Sequence, residues 1–84
     1  MATHFKRNVE LDALLIFTLK ERGPRGYIGL ARRMGCPSDG EALARGRWLK
    51  KQPRSYTNQV GQYIDDLIDG TKQGPKPGLL PGWE

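Results

Sequence analysis

The sequence predicts an all-α fold, a compact bundle of three to four short helices followed by an extended tail rich in glycine and proline. Two observations predict it. Apolar residues recur at helical spacing in several segments, and glycines or prolines separate those segments. Of the 11 glycines and six prolines, four glycines and three prolines stand in the last 15 of the 84 positions. We expect a flexible start at residues 1–7, a helical domain at 8–70 and the tail at 71–84.

The first helix is predicted over residues 9–22, with Asn8 as its N-cap. Gly23 suits the left-handed position that ends a helix, and Pro24 follows it in a tight turn over residues 23–26. The helix is apolar nearly all round. Such a helix is either central in the fold or part of a subunit interface. A homodimer through the helix segment from Val9 to Leu19 is therefore an open alternative.

Three further helices are predicted. Residues 27–34 carry one apolar face and end at Gly35. Residues 41–51 follow, with Ser38 or Asp39 as the N-cap. The inward side chains expected there are Leu43, Trp48 and Leu49. Residues 56–69 form the clearest amphipathic pattern, with Ser55 as the N-cap and Gly70 as the closing residue. The apolar face expected for this last helix consists of Tyr56, Val60, Tyr63, Ile64, Leu67 and Ile68.

The net charge and the length of the chain limit the functions that it can have. Fourteen Lys and Arg residues against nine Asp and Glu residues give a net charge of +5, which favours a polyanionic partner. A chain of this length builds a small core, so a deep enzyme pocket is not expected. His4, Cys36 and the aspartates of the last helix form no catalytic or metal-ligating pattern. We expect no enzymatic activity, no cofactor and no metal, and a cytoplasmic protein without a membrane span.

Two segments resemble families of DNA-binding proteins. The stretch Gly29–Gly35, with Ala31 and Gly35 four residues apart, resembles the first half of a helix-turn-helix motif, although Glu41 stands where that family has an apolar residue. The helix at 56–69 looks like the recognition helix of winged-helix regulators, with Ser55 and Thr57 at its start, then Val60, Ile64 and Leu67, and a closing Gly70. No strand pair follows that would make a wing. The resemblance implies a helix that enters the major groove.

Side-chain chemistry then assigns two roles. Basic side chains are expected to contact phosphate, and Asn and Gln amides to read base edges. The sequence leaves open which helix is the recognition helix. The candidate nucleic-acid-binding residues are Arg32, Arg33, Arg45, Arg47, Lys50, Lys51, Arg54, Ser55, Asn58, Gln59 and Gln62.

The function predicted from these residues is a small transcriptional regulator that binds duplex DNA. The alternative hypothesis is a small interaction protein of the phage or accessory type, which binds and inhibits a host protein. In that hypothesis the basic surface docks on an acidic partner. The tail residues Leu79, Leu80 and Trp83 then act as anchors, or else they fold back onto the core.

Overall fold

The computed structural model describes residues 5–76 and 78, and this part of the chain is all-helical. It contains three helices, α1 (Val9–Arg33), α2 (Asp39–Lys50) and α3 (Arg54–Asp69). The predicted all-α class, with three helices in a compact arrangement, is thus confirmed for this part of the chain. The first two predicted helices are joined into α1, which has one break in its backbone at Gly23. Nowhere in residues 5–76 is there a helix with the length and apolar character that crossing a membrane requires.

The break in α1 is shorter than the four-residue turn predicted from the sequence. Gly23 alone leaves the helical region, with φ +76° and ψ −171°. Pro24 then occupies the first position of the second helical segment, where its missing N–H costs no hydrogen bond and its ring fixes a helical φ. The predicted turn over residues 23–26 is therefore wrong, although the interruption itself is where the sequence places it.

Of the predicted caps at Asn8, Ser38, Ser55 and Gly70, all but Ser55 hold. The Asn8 side chain accepts from the Leu11 amide at 3.1 Å, and the Ser38 side chain accepts from the Glu41 amide at 3.2 Å. Gly70 ends α3 with a left-handed φ of +77°. Ser55 is not a cap, because α3 begins one residue earlier, at Arg54, and Pro53 holds the cap position without a side-chain hydrogen bond. Pro53, whose ring fixes φ, thus takes the cap position that was expected for Ser55.

Helix α1 is the centre of the molecule, and α2 and α3 both pack on it. One face contributes Leu11 and Leu15 to an apolar cluster with the end of α1 and Ala42. Another face places Ala13 in a second cluster with Leu49 and the core face of α3. Burial on two sides explains why this helix is apolar nearly all round. A dimer through the segment from Val9 to Leu19 stays a prediction.

Two apolar side chains that were expected to point inward are exposed instead, Leu43 at 48% and Ile68 at 63% of full exposure. Leu19, at the end of the segment proposed for a dimer, is 37% exposed. In α2 the inward positions are Ala42, Arg45 and Leu49, which share one face at helical spacing. The core face of α3 consists of Tyr56, Val60 and Ile64, with Tyr63 and Leu67 half-buried.

The described ends of the chain lie against the helices. The Phe5 ring packs edge-on against Trp48 at 5.8 Å between ring centroids, and Arg7 donates to the Gln52 side chain. After α3, the Tyr63 hydroxyl donates to the Gln73 carbonyl at 2.7 Å. The Gly78 amide donates to the Arg33 carbonyl at 2.8 Å. The proposed tail anchors Leu79, Leu80 and Trp83 lie outside the described residues.

Candidate nucleic-acid interface

One of the predicted phosphate-binding residues is buried in the core. Arg45 is only 1% exposed, and its guanidinium pairs with Asp12, which is equally buried, at 2.7 Å between Nε and Oδ1. The second amino group of Arg45 lies 3.1 Å from Asp12 Oδ2, so the pair is bidentate. An arginine held in this way contacts no phosphate without leaving the core, because breaking a buried ion pair is expensive. Assigning Arg45 to nucleic-acid binding is therefore wrong.

The same carboxylate connects all three helices. The Tyr56 hydroxyl donates to Asp12 Oδ2 in a short hydrogen bond and accepts from the Asn8 amide at 2.9 Å. Burial, together with this bond to Asp12, raises the pKa of the Tyr56 hydroxyl. We call Asp12, Arg45 and Tyr56 the buried junction. All its charged groups are satisfied inside the protein, so its role is structural.

Aromatic rings close the buried junction against water. The Arg45 guanidinium carbon lies 4.9 Å from the Trp48 ring centroid and 5.6 Å from that of Phe5. Such stacking suits arginine, whose flat guanidinium is weakly hydrated. Arg45 Nη2 also donates to the Lys6 carbonyl at 3.0 Å. The residues just before α1 thus complete the cover of this arginine.

The other basic residues of this region remain on the surface. We call Arg47, Lys50, Lys51 and Arg54 the basic patch, and all four are exposed. The connection between α2 and α3 is only three residues long, so the four side chains are held around one corner of the fold. The chain has no Asp or Glu between Glu41 and Asp65. The basic patch therefore has no acidic neighbour in its own segment, and its positive potential extends into solvent.

The start of α3 adds polar groups beside the basic patch. Its N-cap Pro53 offers no side-chain acceptor, so the first amides of the helix keep donors available to an outside anion. We call Asn58, Gln59 and Gln62 the amide row, and all three side chains are exposed. Ser55 is exposed as well, and its carbonyl accepts from Gln59 Nε2 at 3.0 Å.

The acidic half of α3 restrains one member of the amide row. Gln62 Nε2 donates to Asp66 Oδ1 at 3.3 Å. Both groups are on the surface, where such a bond exchanges readily with water. Asp66 also pairs with Lys72 at 3.6 Å, and Lys72 stacks over the Tyr63 ring. The second half of α3 is thus acidic, with Asp66 paired locally, which separates it from the basic start.

Two predicted basic residues lie away from the basic patch. Arg32 pairs with Asp39 at 3.2 Å, at the N-terminal end of α2. Because α2 has 12 residues, its two ends are about 16 Å apart, so Arg32 is remote from Lys50. Arg33 ends α1 and lies in a shallow depression beside Leu14 and Leu30. The structure brings Arg47, Lys50, Lys51 and Arg54 together and leaves Arg32 and Arg33 elsewhere.

An apolar groove that the sequence did not predict lies next to the basic patch. It has a volume of about 550 Å³ and is lined by residues of all three helices. Leu19, Leu43 and Val60 are among its apolar side chains, and Lys20, Arg47 and Lys50 are its charged ones. The signal in the sequence was present. Leu43 stands off the face shared by Ala42 and Leu49, which predicts an outward side chain.

The surroundings of the Cys36 thiol do not favour a nucleophilic role. Burial raises the pKa of the Cys36 thiol, which donates to the Ser38 carbonyl at 3.0 Å. A buried, protonated thiol is a poor nucleophile. Over the described ranges, no three side chains of His, Cys, Asp and Glu come together as metal ligands would.

Comparison with known proteins adds no relative. No family model, no curated protein and no solved structure matches this chain.

Proposed function

We propose that the protein binds duplex DNA, with the basic patch on phosphates and the amide row at base edges. The observation that carries the proposal is the exposure of four cations at one corner, in a segment of the chain that has no carboxylate. Lys and Arg supply the sequence-independent part of DNA affinity. Asn and Gln supply the bidentate pairing with adenine.

The arrangement of the helices supports a regulator of the helix-turn-helix type. The helices α2 and α3 are joined by three residues, which is the connection length of that motif. Asn58 and Gln59 stand in the first half of α3 and Gln62 stands just after its middle, and base contacts come from the N-terminal part of a recognition helix. The acidic second half of α3 would then point away from the phosphates. This assignment makes α3 the recognition helix and α2 the helix that crosses the backbone.

The first experiment measures affinity as a function of salt. Fluorescence anisotropy with a labelled duplex of mixed sequence gives log K against log salt concentration. Each phosphate contact contributes about 0.9 to the slope. Replacing Arg47, Lys51 and Arg54 one at a time by alanine should reduce the slope by about 1 each and weaken binding to all sequences alike.

A matched control removes the same charge elsewhere. Arg22 and Lys76 are exposed cations outside the basic patch. Their alanine variants should keep the slope of the native protein. Equal losses in the control and patch variants would show that only net charge matters. Failure of the native protein to bind any duplex at low salt would end the proposal.

The second experiment tests base reading. Selection from a random duplex library should return a preferred sequence for the native protein. Asn58→Ala and Gln62→Ala should relax that preference at one or two positions while leaving the salt slope unchanged. Gln73→Ala, which removes an exposed amide outside α3, is the control. An unchanged preference in both α3 variants contradicts a role for the amide row.

Binding to a host protein through the tail remains the alternative hypothesis. Its proposed anchors are outside the described residues, so no contact of theirs bears on it. The groove beside the basic patch is the surface within the described residues that favours a protein partner.

A further inference from the structure

The groove holds apolar surface that the fold leaves uncovered. Three large apolar side chains of the described part are exposed, and two of them, Leu19 and Leu43, line this groove. The third, Ile68, stands one turn after the lining residue Ile64 on α3. A contiguous apolar surface on a small protein marks an interaction site.

The charges around the groove have one sign. Lys20, Arg47 and Lys50 line it, and no Asp or Glu does. None of these three cations forms an ion pair with another described residue. Phosphates of DNA would meet Arg47 and Lys50 but would leave Leu19 and Leu43 in water. The groove therefore fits a ligand that is apolar on one side and anionic at its edges.

The walls admit a helix. Gly46 on α2 and Gly61 on α3 both line the groove, and open space surrounds the position where Gly61 would carry a Cβ. At Gly46 a Cβ would meet the Tyr27 hydroxyl at 3.5 Å, so Gly61 is the position where backbone without a side chain lets a bulky partner approach closely. The groove is open to solvent along the gap between α2 and α3, as a groove for an amphipathic helix is.

We propose that this groove binds an acidic amphipathic helix of another protein. Leucine-type side chains of the partner contact Leu19 and Leu43, and its flanking carboxylates pair with Lys20, Arg47 and Lys50. The proposal does not depend on DNA binding, but it has a consequence for it. Because Arg47 and Lys50 belong both to the groove and to the basic patch, the partner helix and DNA compete for them.

The probe is a synthetic, fluorescently labelled helical peptide of about 16 residues, long enough to be helical in water. It carries Leu at positions i, i+3 and i+7 and Glu on both flanks of that stripe. Two matched peptides serve as controls. One has the same composition with the Leu residues spread over all faces, and the other has Lys in place of Glu. Only the first peptide should bind with micromolar affinity.

Two neutral variants connect binding with the groove. Leu43→Gln removes one apolar contact from an exposed side chain and should weaken the peptide about tenfold. Gly61→Gln places a side chain on a groove wall and should weaken peptide binding as much. Gln has the better helix propensity, so Gly61→Gln should also raise the melting temperature, which separates lost binding from lost folding. Neither change alters charge, and Leu43 lies outside the proposed recognition helix α3, so Leu43→Gln should bind duplex DNA as the native protein does.

Three results would overturn the proposal. The first is equal binding of the striped and scrambled peptides. The second is native affinity in both variants. The third is self-association in sedimentation equilibrium that Leu43→Gln abolishes, because a second copy would then occupy the groove. The last outcome has a structural basis, since Ile68 lies between the exposed residues Asp65 and Asp69 and offers an acidic apolar surface on the same chain.

Discussion

Arg45 and Arg47 stand two residues apart in the same helix and belong to opposite regions of the molecule. Arg45 lies in the buried junction, paired with Asp12 at 2.7 Å and covered by Trp48. Arg47 lies in the basic patch, exposed beside the groove. Two positions rotate a helix by about 200°, so neighbouring arginines face opposite ways. The face of the helix, and not the residue type, decides whether a charge stabilises the fold or is available to a ligand.

The largest expected effect comes from breaking the buried junction. Arg45→Ala leaves Asp12 buried with its charge uncompensated and should lower the free energy of unfolding by about 3–5 kcal/mol. Urea denaturation followed by circular dichroism measures it. Arg47→Ala is the matched control and should stay within about 0.5 kcal/mol of the native protein. Similar values for the two variants would contradict the division into two regions.

A smaller effect is expected from the third member of the junction. Tyr56→Phe removes the hydroxyl that donates to Asp12 and accepts from the Asn8 amide. The loss should be about 1–3 kcal/mol, because two buried polar groups lose a partner while the ring keeps its packing. Tyr63→Phe, whose hydroxyl contacts the Gln73 carbonyl near the surface, should cost less in the same urea titration. A larger loss at Tyr63 would show that the tail contact, and not the junction, holds α3 in place.

The helix caps give a third pair of variants with a smaller difference. Ser38→Ala removes the side chain that accepts from the Glu41 amide and should cost about 1 kcal/mol. Ser55→Ala replaces a serine that the sequence marks as a cap but that lies inside α3, so its cost should be near zero. Thermal unfolding of both variants measures the difference. If Ser55 costs as much as Ser38, α3 begins two residues later in solution, at Tyr56.

Strongly alkaline pH should lower the free energy of unfolding, whereas pH changes near neutrality should leave this contribution unchanged. Burial raises the pKa of Tyr27 from its ordinary value of 10.0 to about 12 in the folded protein. The folded state therefore holds this proton when the unfolded chain has lost it, and the stabilisation present below pH 10 is lost as pH rises from 10 to 12. Tyr27→Phe should show a shallower loss over that interval in urea titrations at several pH values. An equal pH dependence in both proteins would place the effect elsewhere.

Much of the fold could be predicted because local signals agree with the packing. Asn8, Gly23 and Gly70 mark helix boundaries through backbone preferences that need no tertiary partner. Spacing also identifies Tyr56, Val60 and Ile64 as core residues of α3, but Ile68, which continues the same spacing, is exposed. The interruption of α1 was located correctly, but its length was not, because Pro24 begins a helix as readily as it ends one.

The candidate site was harder to predict because its members are sorted by tertiary contacts. Arg45 carries the same charge as Arg47, and only the position of Asp12 across the core distinguishes them. Arg45 lies between Ala42 and Leu49 on one helix face, and this spacing could have predicted its burial. Its charge instead suggested an exposed side chain. The groove is lined by residues of all three helices, so the pattern of no single segment predicts it. Leu43 was predicted to point inward because its hydrophobicity was weighed above its spacing. Ile68 has the spacing of the core face but lies in the last turn of α3, where it is exposed.

The break at Gly23 has a consequence for the shape of the groove. Leu19 and Lys20 line it from the helical turn before the break, and Pro24 and Tyr27 line it from the turn after. The floor of the groove is therefore two facets set at an angle, and a backbone torsion fixes that angle. A positive φ is strained in any residue with a Cβ, so replacing Gly23 would change the curvature that a ligand meets without touching a single lining side chain. In this protein a glycine outside the groove determines what the groove can fit.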